Sequence, residues 1–546
     1  MKRAARILSS SSIVVTIAVA AWLVLGGASP AQAQEPGTLR LAIPGDEGSL
    51  TPYTYVTGYP GYELMSLVFD TLLRMDPELR PRPWLATSVE IEPGEGEPGE
   101  DDVVRYRVRL RDDVRWHDGE RFDADDVAFS FDYYRTHVMS RFTSAAERVA
   151  RIDVVGPYEL RLELGAPDAT FEEAVLADLP MLPEHVYREI DDPRAVREAV
   201  GTGPYRLTQI EAERFYRFEA NPAFWGAEPT LTTIIVPIIR DETTTFQALR
   251  AGEIDAAARA LPPASVAAFE AAPNLEVARG SSFATTLLLM DVTRPELSDP
   301  AVRRAIAAAI DTRRLVEVLL LGAGTVGAPG FLHPATPFAN PETAEPAPLD
   351  RDAVRAELEQ AGYTLGRDGV YVGADGARLG FELLAPSNNP TRLRAAELIA
   401  QDLAAVGIDA DVRSMEFDAL TEKAWPGFDV SRGRDYQLAV FGWSAPVNAR
   451  ANLLGLLHGD PSLGTLNLSG YADPEVDALT VAATRATDPD ERAELLARVQ
   501  EIVARDVPFV TLFYPQGAYA YRPDAYDGWV YMAGQGILNV HSFLAR

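Results

Sequence analysis

Residues 105–134, RYRVRLRDDVRWHDGERFDADDVAFSFDYY, predict a β-strand, a charged turn and an α-helix in direct succession. In residues 105–110 arginines alternate with apolar residues, which is the period-two pattern of a half-buried strand. Asp118 and Gly119 form a turn signal, and Asp123 is placed to cap a helix whose apolar residues recur at helical spacing. Elementary physical chemistry predicts no more of this stretch than a strand, a turn and a helix.

The N-terminus has the three parts of a secretory signal peptide. Residues 1–6 are rich in basic side chains, residues 13–25 form an apolar run, and residues 31–33 read A-x-A, a cleavage signal. The apolar run is short for a membrane span, so we expect cleavage near Ala33 and removal of residues 1–33. The alternative is an uncleaved N-terminal anchor.

Two properties of the composition restrict the location and the partners. The chain contains no cysteine and has a formal net charge of −30. Without cysteine the chain has no lipid attachment site, no disulfide and no thiolate metal ligand, so we expect a free periplasmic protein and not a lipoprotein. Because so much negative charge repels nucleic acid and anionic lipid surfaces, we expect no nucleic-acid partner.

A length of 546 residues exceeds what one hydrophobic core usually supports and predicts two or three domains. The first half shows strand signals, a predicted amphipathic helix at 63–74 and an acidic loop at 92–102. From Asp299 onward, helices alternate with short apolar strands, which indicates a layered α/β domain. The helices are predicted at 301–321, 351–361, 390–406 and 488–506, and the strands at 379–384, 408–413, 437–441, 510–514 and 517–521.

No motif for catalysis, nucleotide binding or metal binding stands in a supporting context. Residues 322–327 (GAGTVG) fit G-x-G-x-x-G, but they follow a predicted helix, so they are interpreted as a helix cap. The six histidines lack metal-ligand spacing, and no G-x-S-x-G nucleophile motif occurs. The residues therefore predict no catalytic group, no metal site and no cofactor. A secreted enzyme with scattered catalytic acids remains the alternative.

The order of short motifs along the mature chain resembles that of the family 5 extracellular solute-binding proteins. These are the peptide, nickel and oligosaccharide receptors of bacterial ABC importers, and they include the dipeptide- and oligopeptide-binding proteins. Each motif is weak by itself, and the match depends on their common order and spacing. Besides residues 105–134, the matching segments are 79–86, 201–205, 221–226, 252–255, 302–306, 309–311 and 405–408.

This resemblance implies an α/β protein with the two-lobed periplasmic binding protein fold, of type II and of the large class, with a ligand cleft between the lobes. Lobe I is expected to comprise residues 34–78, 200–292 and 515–546. An extra subdomain of lobe I is expected at 79–199, and lobe II at 293–514.

The mechanism implied by the resemblance is capture and not catalysis. The open form binds a solute, closes, and docks transiently on a membrane permease, and the solute shifts the equilibrium by its differential affinity for the closed form. Met290, Asp291 and Phe513 are the predicted hinge. The expected solute is peptide-like or another oligomeric polar molecule, with an oligosaccharide, an opine-like compound or a metal complex as alternatives. We expect a monomer.

The segment 442–446 (GWSAP) departs from the pattern of the peptide-binding relatives. In those relatives an aspartate three residues after the Trp binds the α-ammonium group of the peptide. Here Trp443 is kept, but Pro446 stands at the aspartate position and accepts no salt bridge. Either another acid, Glu416 or Asp435, replaces the aspartate, or the ligand has no free amine.

The remaining predicted ligand contacts come from both lobes. The resemblance places a ligand-lining loop at residues 57–59, and Trp425 is a candidate to stack on a flat or apolar solute. The other candidates follow strand ends, where pockets gather. The complete predicted set is Trp443, Phe441, Ser444, Pro446, Thr57, Gly58, Tyr59, Asn388, Asn389, Glu416 and Tyr514.

Overall fold

The computed structural model describes residues 37–57, 59–92, 103–443 and 451–545. The predicted signal peptide at 1–33 and nearly all of the predicted acidic loop at 92–102 lie outside the described residues. Within the described ranges, no helix is both long enough and apolar enough to cross a membrane.

The described residues form a mixed α/β structure. The strands are β1 (Thr38–Ala42), β2 (Leu73–Met75), β3 (Pro81–Pro83), β4 (Ala86–Glu92), β5 (Val104–Leu110), β6 (Val149–Gly156), β7 (Glu159–Leu164), β8 (Tyr205–Glu211), β9 (Phe215–Ala220), β10 (Thr233–Pro237), β11 (Ala256–Ala257), β12 (Glu276–Ser281), β13 (Thr286–Met290), β14 (Gly324–Val326), β15 (Thr364–Leu365), β16 (Tyr371–Val372), β17 (Gly380–Pro386), β18 (Asp409–Met415), β19 (Leu438–Phe441) and β20 (Phe509–Tyr521). The α-helices are α1 (Gly61–Met65), α2 (Ala124–Thr136), α3 (Ser140–Ala146), α4 (Glu184–Tyr187), α5 (Glu242–Ala251), α6 (Pro263–Glu270), α7 (Pro295–Ser298), α8 (Pro300–Ala309), α9 (Thr312–Leu319), α10 (Arg351–Gln360), α11 (Pro390–Ala405), α12 (Phe417–Ala424), α13 (Leu453–Leu457), α14 (Pro474–Arg485) and α15 (Pro489–Asp506).

Residues 105–134 fold as predicted. Strand β5 alternates buried and partly exposed residues, and it lies inside a four-stranded antiparallel sheet of order β4-β5-β7-β6. Asp123 caps α2 with a capping box, in which its carboxylate accepts from the backbone of the first turn and the Asp126 carboxylate accepts from the Asp123 N–H. This sheet and α2 belong to the expected extra subdomain.

A large mixed sheet has two halves, each covered on both faces. In the first half β1 pairs in parallel with β10 and β11, and β9 and β8 follow antiparallel. In the second half β17 pairs in parallel with β18 and β19, and β13 joins β19 antiparallel. Helices α8 and α11 cover one face of the second half and α13 and α15 the other, so the predicted layered α/β arrangement is confirmed.

Strand β20 joins the two halves of the sheet. Its first residues pair with β13 and β14, and its residues 516–521 pair with β12. The prediction of separate strands at 510–514 and 517–521 is wrong in this respect, because the strand continues through Pro515. The strand is continuous at this proline. Only its pairing partners change there, from β13 and β14 to β12.

The predicted hinge residues lie close to β13 and β20. Met290 is fully buried and pairs with Leu438 inside the second half of the sheet, and Asp291 follows directly. The chain leaves the first half earlier, between β12, which ends at Ser281, and β13, which begins at Thr286. Phe513 pairs with Thr286 and immediately precedes the point where β20 changes partners.

The predicted helix at 63–74 is wrong. Helix α1 ends at Met65, and every residue from 61 to 73 is buried, so the segment has no solvent-facing side of the kind an amphipathic helix requires. Backbone carbonyls that a helix would use internally serve other strands instead. Gly203 N–H donates to Val68 O at 2.9 Å and Tyr205 N–H donates to Leu67 O at 3.1 Å.

The predicted helix at 301–321 is two helices, α8 and α9. The backbone leaves the helical conformation at Ile310, and the Asp311 side chain accepts a hydrogen bond from Arg314 N–H at 2.9 Å as the cap of α9. The apolar periodicity continues through the break because both helices pack on the same core. An N-capping aspartate inside the predicted helix was the signal for the break.

Candidate functional site

A cavity of about 510 Å³ lies between the two halves of the sheet and the extra sheet. This volume is within the range of pockets that hold small organic ligands. Tyr59, Tyr62 and Glu63 come from α1 and the loop before it, while Pro337 and Phe338 come from the chain after β14. The remaining lining residues are Ser66, Arg74, Met75, Leu79, Arg141, Glu173, Ala177, Asp178, Met532, Ala533, Gly534, Gln535, Asn539, Val540 and His541.

Glu63 is a buried acid in the wall of this cavity. The residue is 5% exposed, and burial raises the pKa of its carboxyl group to about 8, against the lowering effect of Arg141 and Arg74. Among the described residues, its carboxylate has no hydrogen-bond donor and no cation within ion-pair distance. Buried carboxylates are normally paired, so this arrangement is unusual.

The two arginines of the cavity wall are paired with other acids. Arg141 forms an ion pair with Asp178 at 2.6 Å, and its guanidinium lies 3.8 Å from the centre of the Tyr62 ring. Arg74 forms an ion pair with Asp70 at 2.9 Å. Because each arginine already has a carboxylate partner, neither neutralises Glu63 by direct contact.

The extra sheet and the second half of the large sheet touch beside the cavity. Ala169 N–H donates to Thr484 O at 2.7 Å, and the Arg492 guanidinium donates to Ala169 O at 3.2 Å. The Arg492 guanidinium also lies 3.8 Å from a Glu173 oxygen and 4.5 Å from the centre of the Phe338 ring. These contacts close the cavity on one side, so the structure corresponds to a form in which the two parts are together.

The predicted loop at residues 57–59 reaches the cavity through Tyr59. The hydroxyl of Thr57 donates to Glu47 at 2.8 Å and accepts from Gly61 N–H at 3.1 Å, so Thr57 holds the loop against the start of α1. Gly58 lies outside the described residues.

Trp443 and Phe441 lie in an aromatic cluster away from the cavity wall. The Trp443 ring is 5.6 Å from Phe441 and 5.8 Å from Trp425, in edge-on contact with both. The backbone of Trp443 is bonded to Thr285, whose N–H donates to Trp443 O at 2.9 Å. Trp443 therefore lies against the segment that crosses between the two halves of the sheet. Ser444 and Pro446, which follow it, lie outside the described residues.

The predicted acid and amides at the strand ends lie on one edge of the second half of the sheet. Asn388 and Asn389 follow β17, and the side chain of Asn389 caps α11 by accepting from Arg392 N–H. Glu416 follows β18 and accepts from the Ser387 hydroxyl at 3.0 Å. Asp435 forms an ion pair with Lys423 at 2.5 Å. None of these side chains is part of the cavity wall.

Tyr514 is buried between the two halves of the sheet. It is 1% exposed, and its hydroxyl donates to Phe331 O at 2.5 Å and accepts from Ala328 N–H at 3.3 Å. Its ring packs edge-on against His333, with ring centres 4.7 Å apart. In this form Tyr514 supports the chain crossing, and its hydrogen-bonding groups are occupied by protein.

Of the described residues in the predicted set, only Tyr59 lines the cavity, and the analysis of the sequence missed Glu63, Arg141 and Phe338. A signal for Glu63 was present. It is the one charged residue in the apolar run 62–69, where it begins the predicted amphipathic helix at 63–74. Within the described ranges, no group of three or more acids and histidines has the arrangement of a metal site.

Comparison with known proteins gives a consistent family. Residues 80–462 match the family profile described as bacterial extracellular solute-binding proteins, family 5 Middle. Di/tripeptide-binding protein 3 of Pseudomonas aeruginosa (strain UCBPP-PA14) is 27% identical over 90% of this chain and 92% of its own length. Protein XP55 of Streptomyces lividans is 30% identical over 89% of this chain and 85% of its own length.

Solved structures share the fold. The crystal structure of NikA from Brucella suis in complex with Fe(III)-EDTA superimposes with a TM-score of 0.77 at 21% identity, covering 93% of this chain and all of that one. Its similarity shows the two-lobed fold of the periplasmic binding proteins and, at this identity, nothing about the ligand.

Proposed function

The chain belongs to the bacterial extracellular solute-binding proteins of family 5, and from this we propose that it is the solute-binding component of an ABC importer. We infer that its solute is a short peptide or a peptide-like molecule. The observation that carries this proposal is the cavity of about 510 Å³ between the two parts of the molecule, walled by aromatic rings and by charged groups. An apolar wall with a few polar groups is typical of small-ligand pockets.

The cellular location of the protein and its partner follow from the same proposed function. The signal segment at 1–33 supports secretion into the periplasm, with cleavage near Ala33, and the absence of cysteine argues against a lipid anchor. The partner of the closed form is then the permease at the inner membrane, in transient contact. Binding without turnover is the expected activity, in line with the family.

We propose the lobes as 34–78, 200–285 and 515–546 for lobe I with its subdomain at 79–199, and 286–514 for lobe II, so that the boundary expected at 292 lies instead just before β13. The strand pairing supports two crossings, one between Ser281 and Thr286 and one around Tyr514 and Pro515. Opening of the cavity requires dihedral changes at only these two places. Met290 and Asp291 lie beyond the first crossing, so we move the proposed hinge toward Thr285.

A second candidate solute class is favoured by Pro446. A proline at this place removes the carboxylate with which peptide-binding relatives hold the α-ammonium group. A solute without a free amine, such as an oligosaccharide or a metal complex that carries its own ligands, does not require that carboxylate.

A panel of solutes tested by thermal unfolding distinguishes the two classes. We expect di- and tripeptides to raise the melting temperature without being consumed, because a ligand at 100 times its Kd stabilises the folded state by about 2.7 kcal/mol. Native mass spectrometry of the protein as purified identifies any ligand retained from the cell. A shift with oligosaccharides or metal chelates alone would replace the peptide proposal, and hydrolysis of any solute would contradict the receptor function.

A further inference from the structure

The buried Glu63 carboxylate faces the cavity without a partner in the described part of the chain. Its residue is 5% exposed, and it stands in the wall of the 510 Å³ cavity. A charged group taken out of water is strongly disfavoured unless another charge or several donors replace the water. Among the described residues neither is supplied to Glu63, so its charged form is disfavoured in the ligand-free protein.

The positive groups near Glu63 are already committed. Arg141 holds Asp178 at 2.6 Å with two hydrogen bonds, and Arg74 holds Asp70 at 2.9 Å. Both arginines favour the charged form of Glu63 from a distance, yet burial outweighs them. The carboxylate therefore remains available to a positive group that enters the cavity from outside.

The cavity has the other features that a cationic ligand group needs. The rings of Tyr59 and Tyr62 lie close to Glu63, and Phe338 lines the same cavity from the second half of the sheet. Aromatic faces attract ammonium and guanidinium groups. The contact of Arg492 with Phe338 and Glu173 closes the same region, so an entering group is shielded from water in the closed form.

We propose that Glu63 is the residue that binds the positively charged amino group of the ligand, in place of the carboxylate that Pro446 removes. This inference rests on the proposed function and specifies its ligand as a solute with a free ammonium group. It also removes the reason for preferring a solute without an amine.

The proposal predicts a definite pH dependence of binding. Burial holds the pKa of Glu63 at about 8 in the ligand-free protein, so below this pH the carboxyl group carries a proton that must leave before an ammonium group binds. Affinity for a cationic ligand therefore weakens as pH falls, by up to about tenfold per pH unit for one proton. The titratable and charged groups that share the cavity with Glu63 are Arg74, Arg141, Glu173, Asp178, Tyr59, Tyr62 and His541.

These neighbours do not produce the same dependence of affinity on pH. The tyrosines have raised pKa values because of burial and stay neutral, and burial lowers the pKa of His541 so that it also stays neutral near pH 7. Arg141 forms its ion pair with Asp178, Arg74 forms its ion pair with Asp70, and Glu173 lies 3.8 Å from the Arg492 guanidinium. Glu63 is thus the group expected to titrate between pH 6.5 and about 8.

Calorimetry with two matched probes tests the proposal on the full mature chain. The probes are trialanine and N-acetyl-trialanine, which differ in the charged amine alone. We expect the wild type to bind trialanine at least about tenfold more tightly, since loss of one partner of a buried charge pair typically costs that much or more. Glu63→Gln is expected to lose this preference and the pH dependence.

Two further variants test whether the effect is specific to the negative charge of Glu63. Glu317→Gln removes one negative charge from an exposed position on α9 and should bind like the wild type. Glu63→Asp keeps the charge and should retain part of the preference for the free amine, while melting temperatures confirm that each variant is folded. Trialanine binding of Glu63→Gln at wild-type affinity and pH dependence would overturn the proposal.

Failure of the proposed function gives a different pattern. If the wild type binds neither peptide, 1,4-diaminobutane serves as a cationic probe that is not a peptide. Binding of the diamine that is lost in Glu63→Gln would support Glu63 as the cation-binding residue while contradicting a peptide solute. No binding of any of these cations would overturn the inference.

Discussion

Two glycines show how a single residue position governs the packing around the candidate site. A Cβ atom on Gly201 would lie 1.9 Å from Val68 O, and one on Gly203 would lie 2.5 Å from Leu67 O. These carbonyls belong to the buried segment after α1, and they accept hydrogen bonds from Gly203 and Tyr205. The close approach of two backbones holds α1, and with it Glu63, in place.

We expect Gly201→Ala to destabilise the protein by at least about 2 kcal/mol, because the added methyl group meets backbone that has no room to move. Gly165→Ala is the matched control, since Gly165 is exposed and a Cβ there meets nothing within 4 Å. The control should change the free energy of unfolding by less than about 0.5 kcal/mol. Urea unfolding of both variants measures the difference, and equal effects would contradict the packing argument.

At the residue scale the sequence predicted Tyr59 as a wall residue but not Glu63. The loop at 57–59 was located by resemblance, whereas Glu63 was predicted only as the first residue of an amphipathic helix at 63–74. That interpretation fails because residues 61–73 are all buried by segments distant in sequence. Local periodicity shows which side chains are apolar. It does not show how many sides of a segment are covered by the rest of the protein.

At the scale of elements, capping chemistry was the most reliable signal. The strand, turn and helix at 105–134 are found where the sequence predicted them, and a glycine after α5 and an aspartate before α15 cap those two helices. Gly252 ends α5 with a positive φ of 77°, a conformation that favours glycine. These signals succeed because a cap satisfies backbone groups of its own helix and depends little on distant contacts.

We expect Asp123→Ala to lower the stability of the protein by about 1 kcal/mol, because the first turn of α2 loses its capping acceptor. The Asp126 carboxylate still accepts from Trp116 and Glu184, so the helix should remain in place. Asp112→Ala, at an exposed position outside the helix, is the control and should be nearly neutral. Chemical denaturation checks both, and a neutral Asp123→Ala would argue against the capping box.

At the scale of the whole molecule, the contacts of Arg492 connect the extra sheet to the second half of the large sheet. Its guanidinium donates to Ala169 O, lies near Glu173 and covers the Phe338 ring. Separation of these two parts of the molecule would break all three interactions. A group that stabilises the closed form alone shifts the open–closed equilibrium and with it the apparent affinity.

We expect Arg492→Gln to favour the open form, increase the radius of gyration of the ligand-free protein, and weaken ligand binding about fivefold or more, the equivalent of one hydrogen bond. Arg498→Gln is the matched control on the same helix, because Arg498 pairs with Glu475 and Glu501 within its own part of the molecule. Small-angle scattering and calorimetry measure the two effects. An unchanged radius and affinity in Arg492→Gln would show that these contacts do not control closure.

The sequence by itself determined the class of protein, the α/β layering and the ends of helices α10, α11 and α15 to within one residue, because periodicity, caps and the order of motifs are properties of the chain itself. Only the tertiary structure decided the single strand β20, the burial of residues 61–73 on all sides, and the cavity around Glu63. The cavity wall comes from residues 59–79, 141–178, 337–338 and 532–541, which are far apart in sequence. The environment of one carboxylate depends on all of them, and no local pattern contains that information.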